Sequence, residues 1–209
     1  MLSVAGAAVF ALLSWVGMIV VALLAGCLAC WLISRSRALV AGLLYVGLPL
    51  ACLAWLRELN GLSGNGGEVV GRDDVVFLIA VVWASDIGAY LAGRLLGGAK
   101  LAPSISPGKT RSGAVGGLMA SMLVGECVAQ ALMPGPFGHA AAIACVLGVA
   151  SQAGDLLESW IKRQFGVKDS GWLIPGHGGL LDRLDGLLAA APAAACIAVT
   201  AGQGGVLWH

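Results

Sequence analysis

Twelve Lys and Arg and eleven Asp and Glu are all the formal charge that this 209-residue chain carries. A large share of it falls in one stretch, where Lys162, Arg163, Lys168, Asp169, His177, Asp182, Arg183 and Asp185 follow one another. Cations beside paired carboxylates in an otherwise apolar chain suit chemistry on an anionic, phosphorylated lipid at a membrane surface. Asp182 and Asp185 stand at i, i+3 where the last apolar run begins, and a further acid, Asp155, ends the run before it. Facing one another, these acids would form a hard oxygen site suited to magnesium and phosphates. Favourable charge at a helix N-terminus would account for one of the two later aspartates, less well for both, and not for Asp155.

If the helix around Asp155 continues, Asp155, Glu158 or Ser159, and Lys162 fall at i, i+3/i+4 and i+7. One face then carries an acid, a hydroxyl and a base. The plainer alternative is a helix end whose Lys162 and Arg163 snorkel to headgroups, but carboxylates within a membrane are costly and mark function. Gly176, Gly178 and Gly179 around His177 leave backbone N–H groups free to approach a phosphate; His177 itself either caps a turn or touches the ligand. A second polar loop holds Ser106, Gly108, Lys109, Thr110 and Arg111. It is similar to the end of a P-loop, but Pro103 occupies the first glycine position and no strand is expected before it, so it is not a Walker A motif. Hydroxyls, a glycine and two cations on a tight turn can still cradle a polyphosphate. Asp86 lies inside an apolar segment, with Tyr90 and Arg94 following on the same helical face. That reads either as an Asp86–Arg94 link through Tyr90 or as site lining. Glu126 is isolated and takes no role.

The elements that position these groups are membrane helices. The chain is 59% hydrophobic and 11% charged, with a mean hydropathy of +0.91, where a soluble domain carries about 25% charged residues. A net charge of +1 argues against a nucleic-acid partner, which would favour a basic face. Cys27 and Cys30 have C-x-x-C spacing but neither a partner pair nor a nearby His, so buried structural thiols are expected and no disulfide framework. Spans of roughly 20 residues are expected within 2–34 (one tilted helix or two short ones), at 38–56, 75–93, 113–133 and 139–157, and, shorter, at 186–201. No Lys or Arg precedes the first apolar run, so it is expected to remain as a span. The expectation is an all-α polytopic membrane protein, a bundle of about six to seven transmembrane helices with cytoplasmic active-site loops. Residues 1–74 would hold the N-terminal helices and a polar loop, and 75–209 the catalytic membrane region. The loops with Arg35 and Arg37, with Arg94 to Arg111, and with Lys162 to Arg183 fall on one side, which the positive-inside rule makes cytoplasmic. The polar loop 57–74 falls on the other side, where its four acids outnumber Arg57 and Arg72.

Over roughly residues 83–192 the chain resembles the phosphatidate cytidylyltransferases (CDP-diacylglycerol synthases). That family's long pattern begins S-x-[apolar]-K-R, continues through K-D and H-G-G, and ends D-R-[apolar]-D. It is matched here by Ser159, Lys162, Arg163, Lys168, Asp169, Ser170, Gly171, Pro175, His177, Gly178, Gly179, Asp182, Arg183 and Asp185. Upstream, Ser85-Asp86 with Tyr90 and Gly93-Arg94, then Ser106 to Thr110, then Gly154 to Ser159, are similar to family motifs in the expected order. Arg111 departs from the many relatives that have an aromatic residue after Thr110, and the N-terminal region looks short.

The resemblance implies CTP and phosphatidate as substrates and CDP-diacylglycerol and diphosphate as products, in phospholipid biosynthesis at a bacterial inner membrane. It implies magnesium, with potassium a candidate second cation, and a homodimer. Asp155 and Asp182 would be magnesium ligands, with Asp86 and Asp185 contributing. Lys109, Thr110 and Ser106, with Gly108 between them, would hold the CTP phosphates. Lys162, Arg163 and Lys168 would bind the lipid phosphate or the leaving diphosphate. Ser159 and His177 would orient phosphate oxygens, and Asp169 would fix Lys168. A CTP:archaeol cytidylyltransferase or a polyprenol kinase is the alternative. An ion transporter fits less well, because transport does not require so dense a pattern of cations on one face.

Overall fold

A computed structural model describes residues 15–58, 68–167, 179, 181–201 and 206–208. Six α-helices make up most of them: α1 Trp15–Ser34, α2 Arg37–Glu58, α3 Glu68–Leu96, α4 Arg111–Leu132, α5 His139–Gln164 and α6 Asp185–Ala201. Five of these are long and apolar enough to cross a membrane, as Gly17–Ser34, Arg37–Glu58, Gly71–Leu96, Arg111–Leu132 and His139–Gln164. The chain is therefore an all-α integral membrane protein. With 17 residues, α6 is about 25 Å long and falls short of a hydrocarbon core of roughly 30 Å. The described part of the first apolar run is one helix; residues 2–14 lie outside the described residues.

The seam between α3 and α4 fixes the geometry that matters. Small residues face each other there and the backbones touch. A β-carbon on Gly88 would lie 2.9 Å from the carbonyl oxygen of Gly116, and one on Gly117 would lie 2.7 Å from that of Ser85. Close backbone approach of this kind holds membrane helices together without large side chains. A short hairpin joins the two helices: β1 Lys100–Ala102 pairs antiparallel with β2 Ser106–Thr110. The expectation of a loop without strands is corrected here. The Ile105 N–H bonds back to the Ala102 carbonyl at 3.1 Å and that of Arg111 to the Ala99 carbonyl at 2.9 Å, which closes the ribbon at both ends.

A second correction concerns the polar loop. Helix α3 starts at Glu68, not at 75, and Asp73 and Asp74 are buried rather than in a loop. The Asp74 carboxylate accepts the Leu207 backbone N–H at 2.8 Å, and Asp73 pairs with Arg72 at 3.4 Å. Val206, Leu207 and Trp208 are buried with them in an apolar core built from Phe77, Leu78 and Val81 of α3, Ala144 and Leu147 of α5, and Ala190, Ala191 and Ala194 of α6. Trp208 stacks on Phe77 with centroids 4.6 Å apart, and its indole N–H donates to the Met133 carbonyl at 3.2 Å. Nor is Glu126 isolated. Its Oε2 accepts the N–H groups of Gly138 and Ala141 at 3.2 and 3.1 Å, satisfying free donors at the start of α5.

Candidate active site

At the opposite end of the bundle, the C-terminal ends of α3 and α5, the hairpin, and the N-terminal ends of α4 and α6 surround a cavity of about 870 Å³. Asp86 comes to it from α3 and Asp155 from α5. Asp185 comes from the first residue of α6, and Asp182 from the 3-10 turn Leu181–Arg183 before it. Gly108, Lys109 and Thr110 of β2 line the facing wall. Helix α5 runs unbroken to Gln164, beyond the expected end at 157, so Asp155, Glu158 and Lys162 do share one helix, as their spacing predicts.

Two lysines neutralise two of the acids. Lys109 forms an ion pair with Asp155, joining the hairpin to α5. Lys162 donates to Asp182 at 2.6 Å and lies 3.6 Å from Glu158 one turn back. The remaining Asp182 oxygen accepts the Gly179 N–H at 2.9 Å. These pairs are half-buried and face the cavity, so arriving phosphates can compete for the lysines. Glu158 is different: it is 2% exposed, and among the described residues neither carboxylate oxygen has a hydrogen-bond partner. Lys162 is the cation that compensates it, since an uncompensated buried carboxylate is very costly.

The expected residues divide into three groups. Asp86, Asp155, Asp182, Asp185, Lys109, Thr110, Gly108 and Lys162 are brought together on one cavity. Thr110 also serves a local purpose: its hydroxyl oxygen caps α4 by accepting the Gly113 N–H at 3.1 Å. Ser106, Ser159 and Arg163 are not on the cavity wall. Ser106 pairs with Ala102 in the hairpin, and the exposed Arg163 reaches the Ile105 carbonyl at 3.4 Å, fastening α5 to the hairpin turn. Lys168, Asp169 and His177 lie outside the described residues.

Sequence reasoning passed over Gln152, whose Nε2 donates to Ser85 Oγ at 3.2 Å and to the Ala114 carbonyl at 3.1 Å. One amide thereby ties α3, α4 and α5 together behind the acids. A polar residue one turn before Asp155 on the same helical face was the available signal.

Magnesium binds hard oxygen donors and is commonly held by one or two carboxylates plus substrate phosphates. Four aspartates on one cavity wall fit that chemistry. Among the described residues no three His, Cys, Asp or Glu side chains converge closely enough to hold a metal ion on their own. Asp155 and Asp182, each held by a lysine that can turn away, could supply one or two ligands beside substrate phosphates.

Comparison with known proteins identifies the family. The model of a family described as the cytidylyltransferase family matches residues 1–201. The chain is 53% identical over 152 residues to a phosphatidate cytidylyltransferase of Brucella suis, covering 72% of this chain and 53% of that protein. It is 38% identical over 152 residues to the phosphatidate cytidylyltransferase of Bacillus subtilis, covering 71% and 53%. It is 36% identical over 168 residues to that of Rickettsia bellii, covering 76% and 68%. The chain spans about half the length of the first two relatives.

Proposed function

The chain belongs to the cytidylyltransferase family, and from that premise we propose that it is a phosphatidate cytidylyltransferase, converting CTP and phosphatidate to CDP-diacylglycerol and diphosphate. The observation that carries this reading is a single cavity in a membrane bundle where Lys109 meets Asp155 and Lys162 meets Asp182. A lipid phosphate is an oxyanion at neutral pH, so its oxygen can attack the α-phosphorus of CTP without a general base. The α–β P–O bond breaks and diphosphate leaves. The protein's task is to align two anions and offset their repulsion, which positioning and electrostatics accomplish.

Lys109 and the backbone around Gly108 would take the CTP phosphates as Lys109 leaves Asp155. Lys162 would exchange Asp182 for the leaving diphosphate, keeping Glu158 as its buried counter-charge. Asp155 and Asp182, thus freed, would hold magnesium, which when bound supplies charge neutralisation between the phosphates. Potassium as a second cation and a second copy of the chain as partner are part of the same proposal, on the strength of the resemblance. So is a cytoplasmic orientation. Once α2 extends to Glu58 and α3 starts at Glu68, the segment 59–67 between them has no charged residue. The basic loops then all fall at the cavity end, the arrangement expected of a cytoplasmic face.

The test is diphosphate release by the purified chain in lipid–detergent micelles. The proposal expects release that requires CTP, phosphatidate and magnesium together. Release without phosphatidate, or none from a folded sample, contradicts it.

A further inference from the structure

Among the described residues Arg94, Lys109, Lys162 and Arg183 are the basic residues on the cavity wall, and the first three differ in what holds them. Lys109 and Lys162 are committed to Asp155 and Asp182. Arg94 is held by a neutral group: its Nη1 donates to the Tyr90 hydroxyl at 2.7 Å, and its guanidinium lies 6.0 Å from the centre of that ring. Tyr90 is one turn back on α3, so the bond draws the guanidinium along the helix. An arginine has five N–H donors in a rigid fork. The bond to Tyr90 leaves most of that fork for a ligand, and a planar fork suits a phosphate in a two-point contact.

The position of Arg94 along α3 selects among the phosphates. It lies in the last turn of the apolar span Gly71–Leu96, and the ends of such spans meet the lipid headgroups. Among the cavity-lining residues of α3, Trp83, Asp86, Tyr90 and Arg94 recur at helical spacing along one stripe, with Ala89 and Gly93 beside it. Beside that stripe runs a second one, Ile87, Leu91 and Leu95, and all three are exposed, Leu95 at 81%. An exposed apolar stripe bordering a cationic cavity wall fits a two-tailed anionic lipid: acyl chains lie along the apolar stripe while the phosphate turns inward. A hydrophilic nucleotide has no use for such a border. The hairpin residues Gly108 to Thr110 stand on the other wall.

We propose that Arg94, oriented by Tyr90, binds the phosphate of the lipid substrate where it enters the cavity. This rests on the cytidylyltransferase reading and assigns the lipid phosphate to a residue outside the dense cationic stretch at the C-terminal end. An arginine that only snorkels to headgroups would leave substrate dependence unchanged.

The experiment measures the rate of the full chain against dioctanoyl phosphatidate and against CTP separately, for the parent, Arg94→Ala, Arg94→Lys and Tyr90→Phe. Arg94→Ala is expected to raise the KM for phosphatidate roughly 10- to 100-fold, the size of a charge-assisted hydrogen bond, with the KM for CTP almost unchanged. Arg94→Lys should recover part of the loss, because the charge returns without the fork. Tyr90→Phe should raise the lipid KM by about threefold, as expected for one neutral hydrogen bond. Equal rises in both KM values, or none, would overturn the proposal.

Calorimetric binding of dioctanoyl phosphatidate without CTP keeps the inference separable from the activity. If the parent releases no diphosphate, the functional reading fails while binding still reports on Arg94. If turnover is normal and Arg94→Ala binds lipid like the parent, the inference alone fails. Glycerol 3-phosphate serves as the control: binding as tight as that of the lipid would mark a bare phosphate site and overturn the lipid assignment.

Discussion

The two ends of the bundle use carboxylates in opposite ways. At the far end, Asp74 and Glu126 accept backbone N–H groups that cannot leave: those of Leu207, and of Gly138 and Ala141. At the cavity end, Asp155 and Asp182 are held by lysine side chains, which can turn to another anion. A backbone donor makes a permanent partner, and the acid becomes part of the scaffold. A long flexible ammonium makes an exchangeable one, and the acid stays available for a ligand. An exchangeable lysine partner, which Asp182 has beside the Gly179 N–H, separates Asp155 and Asp182 from Asp74 and Glu126.

Substitutions at either end test this contrast. The largest effect is expected at the far end. Trp208→Ala removes a fully buried ring stacked on Phe77 and should lower stability by about 3–5 kcal/mol, read from thermal unfolding in detergent. Activity per folded molecule should persist. Next comes Asp155→Asn, which should reduce turnover roughly 100- to 1,000-fold, the loss typical of one electrostatic stabiliser. Its unfolding midpoint should barely move, because Lys109 can turn to water. Smaller again is Asp74→Leu, which leaves the buried Leu207 N–H without an acceptor and should cost about 1–3 kcal/mol of stability while leaving both KM values unchanged. A large activity loss in Asp74→Leu, with stability intact, would erase the distinction between the two ends.

How much of this was legible in the sequence follows from the range of the interactions. Apolar runs and scarce charge were enough for the bundle, because a membrane helix is fixed by composition over about 20 residues. The alignment of Asp155, Glu158 and Lys162 was legible for the same reason: it needs only helical spacing. The convergence of Asp86, Lys109 and Asp182 on one cavity depended on the resemblance, since no local rule brings three separate segments together. Asp73 and Asp74 were misread as loop acids because the N–H that satisfies Asp74 comes from Leu207, 133 residues away. Glu126 was passed over for a similar reason, its donors lying across a turn in the next helix. The hairpin was missed because its strand residues include Pro107 and Gly108, poor strand formers held in place by the bonds at both ends of the ribbon. Ser106, Ser159 and Arg163 satisfy the family pattern, yet in this structure they stand off the cavity wall.

On the proposed function, the cavity end transfers a cytidylyl group to a lipid phosphate, with Asp155 among the groups that make it work. The most direct measurement follows radiolabel from CTP into the organic phase, with the label on the α-phosphorus in one reaction and on the γ-phosphorus in another, for the parent chain and Asp155→Asn. In the parent α-label should enter the lipid fraction and γ-label should stay in water as diphosphate, while Asp155→Asn should transfer almost nothing and remain folded. Entry of γ-label into lipid, or undiminished α-transfer by Asp155→Asn, would contradict it.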